Sequence, residues 1–215
     1  MRGLQQTIAR LRWGPLEGRR QRGIERLHDI LADTPLRDRY WLFLGLLLGC
    51  IRDGGPIPWD RDADFAFLDR DLPAFLEALA TLRRHGYELR PMQVNNDGRT
   101  TKWALRREGF KYEFFQVDQR GDRFRWHYHR RNPPTEIVNE VPAHGFARFQ
   151  LYGRSFLVPE DADGQLTLLY GNWRQPDPGY LYWRDCKAIV SSEPWRHPRR
   201  SPPRPVAQST RQSQK

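Results

Sequence analysis

The chain has 215 residues, enough to bury one core, and is expected to form one domain with tails. It contains no run of about eighteen apolar residues, which excludes a conventional membrane-spanning helix, and its two cysteines, Cys50 and Cys186, cannot build a disulfide framework. The formal charge of +10 sits on the ends: residues 1–28 carry seven Arg against two Glu, residues 193–215 carry five Arg and one Lys against one Glu, and 29–192 balance at 23 basic and 23 acidic residues, so no specific nucleic-acid partner is expected.

Residues 1–19 form a basic N-terminal segment in which Trp13-Gly14-Pro15 is expected to interrupt any helix. Arg20 to Ala32 has helical periodicity through Ile24, Leu27, Ile30 and Leu31. Leu36 to Leu44 is expected to continue as helix toward a glycine-bracketed turn, Gly45-Leu-Leu-Leu-Gly49. The Leu47-Leu48-Gly49-Cys50 tetrad resembles a lipoprotein cleavage box, but charged residues precede it and its apolar run is short, so a lipid anchor is rejected. Asp60 to Phe67 reads as a strand. Asp71-Leu72-Pro73 starts a helix with Leu72, Phe75, Leu76, Leu79 and Leu82 as its apolar stripe, stopped at Gly86.

Strands then follow at Tyr87–Val94, Thr101–Arg107, Phe110–Asp118 and Arg123–His129, separated by turn signals at Asn95-Asn96-Asp97-Gly98, Glu108-Gly109 and Gln119-Arg120-Gly121-Asp122. After Asn132-Pro133-Pro134 the next pattern is a hairpin, Phe149–Gly153 against Ser155–Val158. A short helix opens at Pro159–Asp163 and ends at Gly171. The layout is a basic segment 1–19, a folded domain 20–192 and a disordered basic Pro-rich tail 193–215, with an α+β (mixed α/β) fold.

Asp60, Asp62 and Asp64 alternate, so a strand would line them up on one face with Ala63, Phe65 and Phe67 on the other. Three adjacent carboxylates repel one another unless a cation neutralises them. Hard oxygen ligands suit Mg²⁺, and such a site points to phosphate chemistry. Only four basic residues are lysines (Lys102, Lys111, Lys187, Lys215), so a single Arg says little about a phosphate site.

The stretch Gly45-Leu-Leu-Leu-Gly49-Cys-Ile-Arg52, followed by Ile57-Pro-Trp-Asp60-Arg-Asp62-Ala-Asp64-Phe65, resembles the signature of the LicD family, which includes fukutin and fukutin-related protein, in the nucleotidyltransferase superfamily. A second block, Tyr152-Gly153, Phe156-Leu-Val-Pro159 and Leu169-Tyr-Gly171-Asn-Trp173-Arg-Gln-Pro176, is similar to that family's closing motif. The resemblance implies a nucleotidyltransferase-like fold, a central mixed sheet flanked by helices. It also implies Mg²⁺- or Mn²⁺-dependent transfer of a phospho-alcohol, such as phosphocholine or an alditol phosphate, from a CDP-alcohol donor to a glycan or glycolipid acceptor. The expected location is cytoplasmic, with the basic tails making peripheral contact with anionic membrane at its inner face.

On this resemblance Asp62 and Asp64 are the leading metal ligands, with Asp60 a further ligand or a loop-orienting residue. Gly45, Gly49 and Arg52 are expected at the donor phosphates, Arg52 alternatively in a salt bridge to Asp53 or the aspartates. Glu113 is the candidate extra carboxylate, as metal ligand or general base, against an ion pair with Lys111 or Lys102; Asp118 is its rival, at opposite strand parity. Trp173 is either a stacking platform for the base or alcohol or a buried structural residue. His127 and His129 lack a third ligand at zinc-like spacing and are read as hairpin decoration. Two other functions remain open: a nucleotidyltransferase that uses a nucleoside triphosphate and releases pyrophosphate, and a non-enzymatic basic binding or scaffold protein that retains the fold.

Overall fold

The computed structural model describes residues 2–196, with side chains from Glu17 onward; the predicted tail therefore lies outside the described residues from 197. The core is a mixed sheet whose strands run in the order β11-β8-β7-β6-β2-β1-β10-β9, with β5 also on β6 and the short β3 and β4 on β5. The strands are β1 Tyr40–Leu42, β2 Asp62–Leu68, β3 Glu88–Leu89, β4 Gln93–Val94, β5 Thr100–Arg107, β6 Phe110–Arg120, β7 Arg123–Arg131, β8 Pro134–Pro142, β9 Phe146–Leu151, β10 Arg154–Pro159 and β11 Ile189–Pro194. Helices α1 Arg2–Ala32, α2 Leu44–Asp53, α3 Leu72–Arg84, α4 Ala162–Tyr170 and α5 Tyr182–Asp185 complete the chain. This is the α+β architecture expected from the order of elements.

Strand β2 is the keystone. It pairs antiparallel with β1 and parallel with β6. Its alternation sends Ala63, Phe65 and Phe67 into one buried cluster, with Leu27 and Phe75, and Ala66 and Leu68 into a second on the opposite face, with Trp126. Phe67 stacks on Phe75 of α3 with ring centroids 4.3 Å apart. Strand β6 changes neighbours along its length: Lys111–Val117 lie beside β2, while Asp118–Arg120 pair with β7.

Several expectations need correction. Helix α1 runs through Trp13-Gly14-Pro15 without ending; a proline removes one intrahelical bond and kinks a helix without necessarily terminating it. The helix expected over Leu36–Leu44 is absent up to Phe43: turns at 33–39 lead into β1, and α2 starts only at Leu44. The glycine bracket is not a turn but the interior of α2, for reasons given below. Leu76, assigned to the apolar stripe of α3, is 47% exposed. Strands β8 and β11 have no counterpart in the predicted elements. Prolines stand at both ends of β8, where strand geometry tolerates them, and its Glu136, Asn139 and Glu140 hide the alternation. The domain also reaches past 192: β11 continues to Pro194, and Trp195 is buried, its Nε1 donating to the Val94 carbonyl at 2.7 Å.

The predicted hairpin is present as β9 and β10. Tyr152 and Gly153 form its turn with φ of 54° and 71°, the left-handed pair that matches the twist of a two-residue hairpin loop. Asp161 caps α4 by accepting from the Gly164 amide at 2.9 Å.

Candidate metal centre

Parallel pairing in register sets Asp62 opposite Lys111 and Asp64 opposite Glu113. Alternation puts all four side chains on the same face of the sheet. Asp62, Asp64 and Glu113 each offer a carboxylate oxygen, and these oxygens lie within 4.8 Å of one another. Among the described residues this is the one group of three or more Asp, Glu, His or Cys side chains close enough to share a metal ion. The set is all oxygen, which fits Mg²⁺ or Mn²⁺ and not a soft metal.

The carboxylates of the cluster perturb one another's ionisation. Burial, followed by the charges of Glu113, Asp62 and Asp60, raises the Asp64 carboxyl well above its ordinary value. Burial and a side-chain hydrogen bond with Asp62 push Asp60 up to about 7. Burial also works to raise Asp62, but the hydrogen bonds from Asp60 and Lys111 outweigh it and hold Asp62 low. Carboxylates that push one another apart in this way favour a shared cation.

Two lysines supply positive charge at the cluster. Lys102 Nζ donates to both Glu113 oxygens at 2.9 Å. Lys111 Nζ lies 2.5 Å from Asp62 Oδ2 and 3.3 Å from Glu113 Oε1. The ion pair weighed against a catalytic Glu113 is thus present, and it coexists with membership of the cluster. With both oxygens engaged by Lys102, Glu113 is poorly placed as a general base. The rival, Asp118, stands elsewhere: it takes a forked hydrogen bond from Arg99 on the stretch of β6 that pairs with β7.

The cluster forms the floor of a cleft of about 750 Å³, lined also by Leu44, Gly45, Tyr128, Tyr170, Tyr182 and Trp183. Tyr128 and Tyr182 rings are 4.5 Å apart, and Arg130 lies over Trp183 at 4.4 Å. Tyr128 feels the carboxylates: burial first, then Glu113, Asp64 and Asp62 raise its hydroxyl. This aromatic wall escaped the sequence reading, although Tyr128 alternates with His127 and His129 in β7. The two histidines, read as hairpin decoration, are held by side-chain partners, and His129 also lines the cleft. Both are buried, His127 Nδ1 meeting Glu136 Oε1 at 2.5 Å and His129 Nδ1 meeting Gln93 Oε1 at 3.1 Å.

Helix α2 is aimed by its glycines. A Cβ on Gly45 would stand 2.9 Å from Asp60 Oδ2 and 3.7 Å from Asp64 Oδ2. A Cβ on Gly49 would stand 2.7 Å from both the Gly55 carbonyl and the Ile57 nitrogen. The glycines therefore let α2 lie against the acidic strand and its preceding loop. The helix begins at Leu44, whose φ of 40° is strained for a residue with a side chain. No side chain caps this start, so the first-turn N–H groups keep their capacity for an anion.

Of the remaining candidates, Asp60 lies beside the cluster, bonded to Asp62 and not one of the three converging carboxylates. Gly45 lines the cleft, whereas Gly49 packs against the loop. Arg52 pairs with Asp53 at 2.8 Å, the alternative weighed for it. Trp173 belongs to the core at 6% exposure and is not available as a stacking platform. One residue of the site's frame was missed altogether. Arg20, buried on α1, donates to the carbonyls of Ile57 at 2.6 Å, Asp60 at 2.9 Å and Pro56 at 3.2 Å, fixing the loop that leads into β2. No periodicity reveals such a contact, because its partners are backbone atoms.

A family model and a curated relative each match part of the chain. The model of the family described as LicD/FKTN/FKRP, nucleotidyltransferase domain, matches residues 37–150. That range holds α2, β2 and β6 with the whole acidic cluster; the second sequence block, Tyr152 to Pro176, falls beyond it. A curated relative, "Uncharacterized protein RT0683" of Rickettsia typhi, is 32% identical over 63 residues, which are 29% of this chain and 20% of the relative. The chain thus matches about a fifth of that relative's length. The family match covers more than half of the sequence and all three clustered carboxylates, and the chain belongs to the LicD nucleotidyltransferase-domain family.

Proposed function

We propose that the protein is a Mg²⁺- or Mn²⁺-dependent transferase that moves a phospho-alcohol from a CDP-activated donor to a sugar hydroxyl of a glycan or glycolipid. Family membership implies phosphoryl-type transfer that modifies glycosyl compounds. The observation that carries the reading is the convergence of Asp62, Asp64 and Glu113 at the floor of a cleft. A divalent cation held there would neutralise the donor diphosphate and the charge that develops on the leaving group.

The chain's own residues supply the rest. Asp62 and Asp64 are the ligands, and Glu113 completes the set while Lys102 fixes its orientation. The uncapped start of α2 offers backbone N–H groups to a phosphate. Arg130 and Arg131 line the same cleft and add positive charge for the diphosphate. In the transfer, the acceptor oxygen forms a bond to phosphorus as the bond to the departing CMP breaks. The hydroxyl proton leaves to solvent through the open side of the cleft, since Asp62, Asp64 and Glu113, the carboxylates that line it, are the ligand set.

The test is to incubate the pure protein with CDP-alcohols and Mg²⁺ and to measure CMP release. Asp62→Asn and Asp64→Asn should each lower turnover by about 10²-fold or more, the scale expected when a charge-stabilising group is removed. Wild-type turnover in both variants would refute the site assignment. Pyrophosphate release from a nucleoside triphosphate, without CMP release from CDP-alcohols, would replace the reading with nucleotidyl transfer.

A further inference from the structure

We propose that Lys111 is a built-in stand-in for the divalent cation: it bridges Asp62 and Glu113 in the metal-free protein and is displaced when the cation binds, while Lys102 remains as a fixed counter-charge on Glu113. This rests on the reading of the acidic cluster as a metal site.

The two lysines differ in every respect that matters for displacement. Lys111 Nζ contacts two of the three carboxylates, at 2.5 Å from Asp62 and 3.3 Å from Glu113. It therefore stands among the oxygens a cation would gather. Its side chain is 43% exposed, so it has an open route out of the cluster. Lys102 holds Glu113 alone, its side chain is 9% exposed, and its ammonium lies 4.9 Å from the centre of the Phe115 ring. Lys102 has nowhere to go; Lys111 can swing into solvent or toward a bound phosphate.

Residue type makes the same distinction. Lys and Arg together number 36, yet only four are Lys, and two of those four sit on this cluster. Guanidinium would grip a carboxylate with a rigid two-point fork. An ammonium is a compact point charge on a flexible stem, closer to a metal ion in its demands on oxygen ligands and easier to exchange. Charge balance completes the argument. Three carboxylates against two ammonium groups leave one negative charge, whereas a divalent cation added without movement would leave a net positive charge. Withdrawal of Lys111 restores balance at the ligands and frees an ammonium for the anionic donor.

The experiment measures Mn²⁺ affinity of the chelator-treated full chain from the loss of the aqueous Mn²⁺ electron paramagnetic resonance signal. Thermal unfolding is recorded with and without Mn²⁺. Lys111→Met should bind Mn²⁺ about tenfold more tightly than wild type, as removal of a competing charge at contact distance implies. It should also melt at a lower temperature without metal and gain more from metal. Lys111→Arg should bind more weakly than wild type. Lys111→Gln serves in place of Met if that variant does not fold. Affinities within twofold across the series, or weaker binding by Lys111→Met, would overturn the proposal. Tighter binding by Lys111→Met with Lys111→Arg equal to wild type would make net charge alone responsible, and would overturn it too. If neither wild type nor any variant binds Mn²⁺, the metal reading itself fails; if wild type binds and the series is flat, only the role of Lys111 fails.

Discussion

Gly45 and Gly49 lie in one helix, four residues apart, and the same substitution should have opposite effects at the two. Helix propensity alone favours Ala over Gly by about 1 kcal/mol at either position. At Gly49 the new Cβ would meet the Gly55 carbonyl and the Ile57 nitrogen, each at 2.7 Å, with Ile57 Cγ1 at 3.1 Å. The two nearest are backbone atoms, and Arg20 pins the loop through the Ile57 carbonyl. The loop has little room to retreat, so overpacking should cost about 3 kcal/mol, the upper part of its usual range. The net loss for Gly49→Ala is about 2 kcal/mol, or about 4–8 °C in Tm for a chain of this size. At Gly45 the closest atom is Asp60 Oδ2 at 2.9 Å, the end of a side chain that can rotate. Gly45→Ala should therefore keep wild-type stability or gain up to about 1 kcal/mol. It should nevertheless weaken donor binding about tenfold or more, because the methyl group enters the cleft beside Asp60 and Asp64. Urea unfolding of both chelator-treated variants, with donor binding by calorimetry, separates the two effects. The reasoning is wrong if Gly49→Ala matches wild-type stability, or if Gly45→Ala is the less stable of the pair.

Two further perturbations probe the frame and the charge of the site. Arg20→Ala removes a buried guanidinium from three carbonyls, and should cost about 3–5 kcal/mol because the acceptors lose charged donors in a buried place; Arg20→Lys should recover part of this, and a loss below about 1 kcal/mol in urea unfolding would exclude the pinning role. The pH profile of the chelator-treated protein should be two-limbed. His129 is held down at about 3, by burial first and then by His127 and Lys102. Its unfolded form takes up the extra proton, so this contribution is complete above the unfolded value of 6.5 and is lost as pH falls. Asp60, raised to about 7, and Asp64, raised well above its ordinary 3.8, act in the opposite sense: each binds more protons folded than unfolded, so stability falls as pH rises through their folded values. Tm without metal should rise below about pH 4, where His129 acts alone, and fall above it, where the two aspartates outweigh the histidine; the fall should be smaller in Asp60→Asn between about pH 4 and 7, and Mg²⁺ should raise Tm most on the alkaline side, whereas a flat profile above about pH 4 with no Mg²⁺ effect would refute the charge assignment.

What could be read from the sequence divides along a physical line. Alternation needs only neighbours in the chain, and it correctly put Asp62 and Asp64 on one face of β2 and Ala63, Phe65 and Phe67 on the other, whereas Asp60, expected on the same strand, lies in the loop before it. Turn chemistry is equally local, so the hairpin at Tyr152-Gly153 and the end of α4 at Gly171 were legible. The glycine bracket misled because glycine has two uses. The conformational one, a turn, is visible in sequence; the steric one, close approach of a helix to a loop, depends on what lies across the gap. Gly45 and Gly49 serve the second use. Trp173 and Trp195 show the same limit for aromatic residues, since type alone does not say whether an indole faces a ligand or a core. Trp195 stood in a polar, Pro-rich stretch, yet it closes over His129 with ring centroids 4.4 Å apart.

The choice between Glu113 and Asp118 shows what strand register adds. Their odd separation puts them on opposite faces of a regular strand, so only one can join the aspartates. Register decides which: Asp64 lies directly across from Glu113, while Asp118 is carried onto the stretch of β6 that pairs with β7 at Arg125. The same register explains how the sheet offsets the repulsion among the three carboxylates. Opposite Glu113 on the other flank stands Ala104, too small to fill the space above the sheet, and Lys102 is two residues away, opposite Phe115. The diagonal between Lys102 and Glu113 is within the reach of a long side chain, and the small Ala104 leaves its path clear. Lys111, two residues before Glu113 on the same strand face and directly across from Asp62, closes the other side. A site whose three carboxylates come from two adjacent parallel strands is inherently repulsive, and the sheet answers that repulsion with one lysine locked in place and one left exposed. The exposed one is the group a cation would have to replace, which is why the order of metal affinities among Lys111 variants tests the architecture of the centre more directly than the loss of any carboxylate.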